Sequence, residues 1–225
     1  MRAMILAAGF GKRMLPLTEH TPKPLLTVAG IPLIEHHIRR LAAAGVTQIV
    51  INVAHLGQQI ITYCQGGERW GVTLNFSHEK EPLETAGGIV KALPLLGQEP
   101  FLLVNGDIWT DYPFERLVAQ ALTVEDEAKL ILVANPAQHP QGDFSLADTK
   151  VQKLAEGEIG FTYAGIGLFH PKLFADTAPG REPLLPLLLA AIERQTLTGE
   201  FYSGEWEDVG TPERLASLNE RHSSS

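Results

Sequence analysis

The sequence predicts one α/β domain on a mixed, mainly parallel central sheet flanked by helices. Short apolar runs alternate with helical patterns as far as Ala134, which is what parallel strands joined by crossover helices require. Beyond residue 140 the pattern changes to short, closely spaced strand signals that suit hairpins. At 225 residues, with 44% apolar and 20% charged side chains, the chain has the make-up of one domain with a substantial core.

Residues 3–8 are apolar, bounded by Gly9, and read as a buried strand. Pro32 is expected in the first turn of a helix in which Leu33, Ile34, His37, Ile38 and Leu41 recur at helical spacing, with Gly45 ending it. Residues 48–53 read as a second strand, 58–64 as a short helix and 72–76 as a third strand. A helix over 85–93 is expected to stop at Pro94. Residues 101–104 form a fourth strand that ends at Asn105-Gly-Asp107; a helix over 114–122 and a fifth strand over 129–134 follow.

In the second half, 144–146 and 151–154 read as a hairpin through Asp148, and 161–169 as a long strand containing Gly165 and Gly167. Residues 184–193 are helical, and 196–202 and 205–208 are strands. Thr211 caps a last helix, with Pro212 at its first position. The domain is expected to span 1–222, with a disordered tail at 223–225.

The formal charge, 18 cations less 26 anions, is −8, which argues against nucleic acid as the main partner. Cys64 is the sole cysteine, so no intrachain disulfide is possible, which fits a reducing compartment. No cleavable signal is visible, and the apolar run 184–192 contains Pro186 and is far too short to span a membrane. A cytoplasmic location is expected, with no membrane and no protein partner implied.

The N-terminal turn is the most informative segment. Gly9 and Gly11 follow a buried strand, and Lys12, Arg13 and Lys23 follow them. Successive N–H groups of a glycine turn form a concavity that holds phosphate oxygens, and cations beside it neutralise them. A Walker loop is excluded, because no G-x-x-x-x-G-K-[ST] string follows. The dinucleotide fingerprint is excluded too, because Met14 stands where its third glycine belongs. In open α/β sheets ligands collect beyond the carboxyl ends of strands, so the glycine turn and Asn105-Gly-Asp107 are expected in one site.

Leu-Ala-Ala-Gly-x-Gly-x-Arg-Met-x-Pro-Leu-Thr, from Leu6 to Thr18, then Pro22-Lys-Pro-Leu25, resembles the opening of the sugar-1-phosphate nucleotidyltransferases. Trp206-Glu-Asp-Val-Gly-Thr-Pro212 resembles that family's second signature. The resemblance implies a Rossmann-like nucleotidyltransferase fold and Mg²⁺-dependent nucleotidyl transfer. A sugar phosphate oxygen attacks the α-phosphorus of a nucleoside triphosphate, and pyrophosphate leaves. It covers the chain to about Glu220 and implies a catalytic domain without appended modules. Single-domain members that transfer UMP are the most similar, so UTP and a sugar 1-phosphate are the expected substrates.

Carried over residue by residue, the resemblance makes Arg13, Lys23 and Asp107 catalytic. It gives Asp107 and Asp208 to Mg²⁺. Ala8, Gly9, Gly11, Lys12, Arg13, Lys23, Glu79 and Glu84 fall on the nucleotide, and Asn105, Gly142 and Glu156 on the sugar. Two departures stand out. Glu79 replaces a glutamine common in uridylyl and thymidylyl relatives; a carboxylate accepts the N3–H of uracil or the N1–H of guanine, so the base stays open. Gly157 stands where many relatives have a lysine. Gly87 and Gly88 are expected to pack on the base or, alternatively, only to allow close helix packing. The eight histidines show no metal spacing. A silent nucleotide-sensing module on the same fold is the alternative of a different class, against which intact Arg13, Lys23, Asp107 and Asp208 argue.

Overall fold

The structure is a computed structural model that describes residues 1–222. Its first strand, β1 (Arg2–Leu6), is apolar from Ala3 onward because the sheet is covered on both faces. Ala3 and Ile5 enter one core and Met4 the other, all fully buried. The later strands are β2 (Thr27–Val28), β3 (Ile31–Pro32), β4 (Gln48–Val53), β5 (Thr73–His78), β6 (Phe101–Asn105) and β7 (Ile108–Thr110). They continue as β8 (Ala128–Val133), β9 (Phe144–Ala147), β10 (Lys150–Lys153), β11 (Thr162–Phe169), β12 (Leu197–Tyr202) and β13 (Trp206–Asp208). The helices are α1 (Leu33–Ala43), α2 (Gly57–Cys64), α3 (Glu84–Leu96), α4 (Glu115–Val118), α5 (Leu185–Glu193) and α6 (Pro212–His222).

Nine strands form the central sheet in the order β5-β4-β1-β6-β11-β8-β12-β10-β9. The first four are parallel. β11 is antiparallel to both β6 and β8, β12 runs parallel to β8, and the hairpin β9–β10 closes the edge. One face packs on α1 and α2 through Ile34, Ile38, Leu41, Ile60 and Cys64; the other packs on α3 and α5 through Ile89 and Leu188. A third apolar cluster joins Met14, Leu33, Trp109, Val209 and Leu218, and so ties the glycine turn to β7 and to α6. Among the described residues no helix is long and apolar enough to cross a membrane.

Four expectations are corrected. Pro94 does not stop α3, which runs to Leu96. It sits in the last turn, where the missing N–H removes a single ladder bond. Pro32 precedes α1 rather than lying in its first turn. The helix expected over 114–122 shrinks to α4: Phe114 and Leu117 are buried, Ala119 and Ala121 face solvent, and Leu122 packs on the core from outside the helix. Residues 108–110, not read as a strand, form β7 and pair antiparallel with β13. The tail expected at 223–225 lies outside the described residues.

Candidate active site

The carboxyl rim of the parallel strands sets the geometry. Leu6 lies opposite Asn52 of β4 and Asn105 of β6, so two amides flank the point where the chain leaves the sheet. The Asn52 Oδ1 accepts the Ala7 N–H at 2.8 Å, and the Leu6 carbonyl accepts the Gly106 N–H at 2.8 Å. At Gly11 the backbone takes φ +62°, and its carbonyl accepts the Met14 N–H and the Thr18 hydroxyl, each at 2.8 Å. A Cβ there would also come within 3.0 Å of Thr18 Cγ2, so conformation and space both demand glycine. Gly9 has neither constraint: a Cβ would meet no protein atom, because this glycine borders the open cleft. Met14 is fully buried and anchors the short turn Lys12–Met14, leaving Lys12 and Arg13 exposed.

A cleft of about 360 Å³ opens above this rim. Ala8, Gly9, Gly11, Lys12, Arg13, Lys23, Glu79, Glu84, Asn105 and Asp107 line it. A second compartment of about 280 Å³ shares Arg13, Asn105 and Asp107 with the first and adds Asp208 and His139. Arg13 and Asp107 therefore stand at the junction of two chambers. The Lys23 ammonium, almost wholly buried, lies 2.7 Å from Asp107 Oδ2.

Asp107 and Asp208 meet because β7 pairs with β13. Ile108 lies opposite Asp208, and the Val209 N–H donates to the Asp107 carbonyl at 3.1 Å. Asp208 is fixed in turn by Arg214, whose Nη1 donates to its carboxylate at 2.7 Å and to its carbonyl at 3.0 Å. Sequence reasoning missed Arg214; the signal was a lone cation six residues after the carboxylate. Beneath β7, the buried His37 ring bonds the Ile108 carbonyl at 3.0 Å, and burial pushes its pKa down to about 4. It is a neutral structural histidine.

The donor set suits a hard cation completed by substrate. Mg²⁺ takes one or two carboxylates and fills its remaining positions with phosphate oxygens and water. Among the described residues there is no cluster of three or more His, Cys, Asp or Glu side chains that could hold a metal alone. Asp107 and Asp208, which line the same compartment, are two carboxylates of that kind.

At the far end of the first cleft Glu79 is buried and fully engaged. One oxygen accepts the Asn52 amide at 2.7 Å and the other the Leu83 N–H at 2.9 Å. Asn52 thus links the first loop to Glu79, a role the sequence did not show. Gly87 and Gly88 pack on protein: a Cβ at Gly88 would reach Glu79 Oε1 at 2.8 Å, and one at Gly87 the Gly180 carbonyl at 2.0 Å. Glu84 has φ +59° and pairs through its carboxylate with Arg181 at 2.8 Å.

The second compartment is built by long-range contacts. At Gly165 (φ +70°), inside a register shift of β11, a Cβ would fall 2.5 Å from the Asn105 amide nitrogen. The Asp143 carboxylate accepts the Tyr163 N–H at 2.8 Å and contacts His139 Nε2 at 3.0 Å. Gly142 and Glu156 border neither chamber. Gly142, at φ +76°, is packed against Asn135 and the Phe161 backbone, and Glu156 is exposed on the turn after β10. Burial raises the Tyr163 phenol above its ordinary pKa and keeps it neutral.

Comparison with known proteins bears on this geometry. A family model described as nucleotidyl transferase matches residues 2–225. The chain is 48% identical over 220 residues to an N-acetylmuramate alpha-1-phosphate uridylyltransferase of Neisseria meningitidis serogroup B, covering 96% of this chain and 95% of that one. It is 35% identical to the protein of the same description from Caulobacter vibrioides, over 97% and 96% of the two chains. A mannose-1-phosphate guanyltransferase of Gibberella zeae is 33% identical, and there the match takes in 96% of this chain but 63% of the relative. A crystal structure of a putative glucose-1-phosphate thymidylyltransferase from Bacillus anthracis shares the fold, with a TM-score of 0.89 at 21% identity over 100% of this chain and 96% of that one.

Proposed function

The chain belongs to the nucleotidyl transferase family, and from that membership we propose that it transfers UMP from UTP to N-acetylmuramate 1-phosphate. The products are pyrophosphate and UDP-N-acetylmuramate, a peptidoglycan precursor, so the reaction returns a cell-wall sugar to use. The observation that carries this reading is the near-full-length 48% identity to a relative described by that activity.

The geometry accounts for the chemistry. UTP takes the first cleft, with its triphosphate on the N–H groups of the glycine turn and beside Lys12, Arg13 and Lys23. The acceptor takes the second, so that its phosphate oxygen approaches the α-phosphorus at the junction where Arg13 and Asp107 stand. Holding two polyanions in line is most of what this reaction asks of a protein, since little covalent chemistry is required of it. Arg13 spreads the charge that develops there, and Lys23 leaves Asp107 for the phosphates. Asp107 and Asp208 would hold Mg²⁺, which when bound neutralises phosphate oxygens. Each Glu79 oxygen accepts one protein bond and retains a lone pair, so the carboxylate can accept uracil N3–H while Asn52 holds it. Asn105, which lines both chambers, bonds the sugar in this reading.

The test is pyrophosphate release with Mg²⁺, for UTP, dTTP, GTP, CTP and ATP against a panel of sugar 1-phosphates. Turnover confined to UTP with N-acetylmuramate 1-phosphate is expected. Preference for GTP with mannose 1-phosphate would overturn the substrate assignment. Chelation with EDTA should abolish turnover, and added Mg²⁺ should restore it.

A further inference from the structure

The acceptor just assigned has two anionic ends, and the structure accounts for only one of them. The 1-phosphate must lie at the junction beside Arg13. The carboxylate of the lactyl ether then lies deeper in the second compartment and needs its own partner. Among the described residues that line this compartment, His139 is the one side chain besides Arg13 that can carry positive charge; the acidic residues there are Asp107 and Asp208.

The His139 ring sits on a rigid loop. Asn135 donates to the Pro140 and Gly160 carbonyls at 3.1 and 2.8 Å and accepts the Thr162 hydroxyl at 2.9 Å. Gly142 turns the chain at φ +76°, where a side chain would strike Asn135 and Phe161. Asp143 then fixes the ring through Nε2 at 3.0 Å, while its other oxygen is tied to β11 by the Tyr163 N–H at 2.8 Å. Among the described residues none bonds the His139 Nδ1. With Nε2 on Asp143, Nδ1 is the ring position left for a second partner.

We propose that His139, oriented by Asp143, binds the lactyl carboxylate and so selects N-acetylmuramate 1-phosphate over neutral hexosamine 1-phosphates. The inference rests on the acceptor assignment above and deepens it. A hydrogen bond between charged partners also explains how a pocket floored by Asp107 and Asp208 accepts a dianionic sugar with an extra negative charge.

The test compares N-acetylmuramate 1-phosphate with N-acetylglucosamine 1-phosphate, the same sugar without the acid, in wild type, His139→Ala and His139→Gln. Each sugar is read as a substrate or, where it is not turned over, as a competitive inhibitor. The KM for the acid sugar should rise about tenfold or more in both variants, while the constant for the neutral sugar moves by less than about threefold. The KM for UTP reports that the first cleft is intact. Equal shifts for the two sugars, or no shift, would overturn the proposal. Wild-type protein that ignores the acid sugar overturns the acceptor assignment, and the proposal with it, before any variant is compared.

Discussion

In the parallel half of the sheet, the strand order β5-β4-β1-β6 puts Asn52, Glu79 and Asn105, each within a residue of a strand end, on one rim with the glycine turn that follows β1. Past β6 the arrangement differs. β11 is inserted antiparallel, β7 leaves the sheet to pair with β13, and the second compartment is assembled from segments around residues 107, 139, 163 and 208. The first half builds its cleft from contiguous motifs, because a parallel sheet delivers every strand end to the same side. The second half depends on which distant strands pair. A change in the first half should therefore act on the nucleotide, and one in the second on the acceptor.

The largest effect tests the point where the halves meet. Asp107→Asn removes a charge shared by both chambers and should lower kcat at least about a hundredfold, with an unchanged circular dichroism spectrum. Near-normal turnover would remove Asp107 from the metal site and dissolve the junction.

His37 tests the mechanical tie between α1 and β7. Its pKa is depressed in the folded protein to about 4, so its stabilising contribution is fully present above the unfolded value of about 6.5. That contribution is lost as pH falls through this window, because the unfolded chain binds the proton first. The loss should reach about 2 kcal/mol by pH 5. In His37→Gln the denaturant midpoint should fall less between pH 7 and pH 5 than in wild type. Glu35 and Glu127 have pKa values held below the ordinary carboxylate range by hydrogen bonds and neighbouring arginines, against burial, so they titrate below the window. An unchanged slope would show that the histidine is not buried neutral.

Two glycines sharpen the contrast between the halves. Gly11→Ala forces an L residue to φ +62° against Thr18 and should raise the KM for UTP about tenfold. Gly165→Ala pushes on the Asn105 amide from β11 and should raise the KM for the sugar phosphate about as much, with a smaller change for UTP. Identical profiles in the two variants would mean that the chambers are not separate sites.

Where the sequence read well, the information was local. Met14, Gly11 and the cations after it lie within one short string, and the positive φ at Gly11 is dictated there. The β9–β10 hairpin turns at Asp148, which takes φ +53°, as the sequence implied. The Thr211–Pro212 start of α6 is likewise local, with the Arg214 N–H on the Thr211 hydroxyl at 3.4 Å. Where it read poorly, burial decided. Pro94 is absorbed in the final turn of α3, whose other face is packed.

By itself the sequence determined the α/β class and the glycine turn after the first strand, because strand ends and turns are properties of short segments; the pairing of the two carboxylates came only from the family resemblance. The tertiary structure alone decided that β7 and β13 pair to bring Asp107 beside Asp208, that Arg214 clamps the latter, and that Asn52 ties Glu79 to the first loop. It alone put His139 in the second compartment and left Gly142 and Glu156 outside it. Those relations are distances between residues far apart in the chain, and they come into being only when the cores on both faces of the sheet have closed.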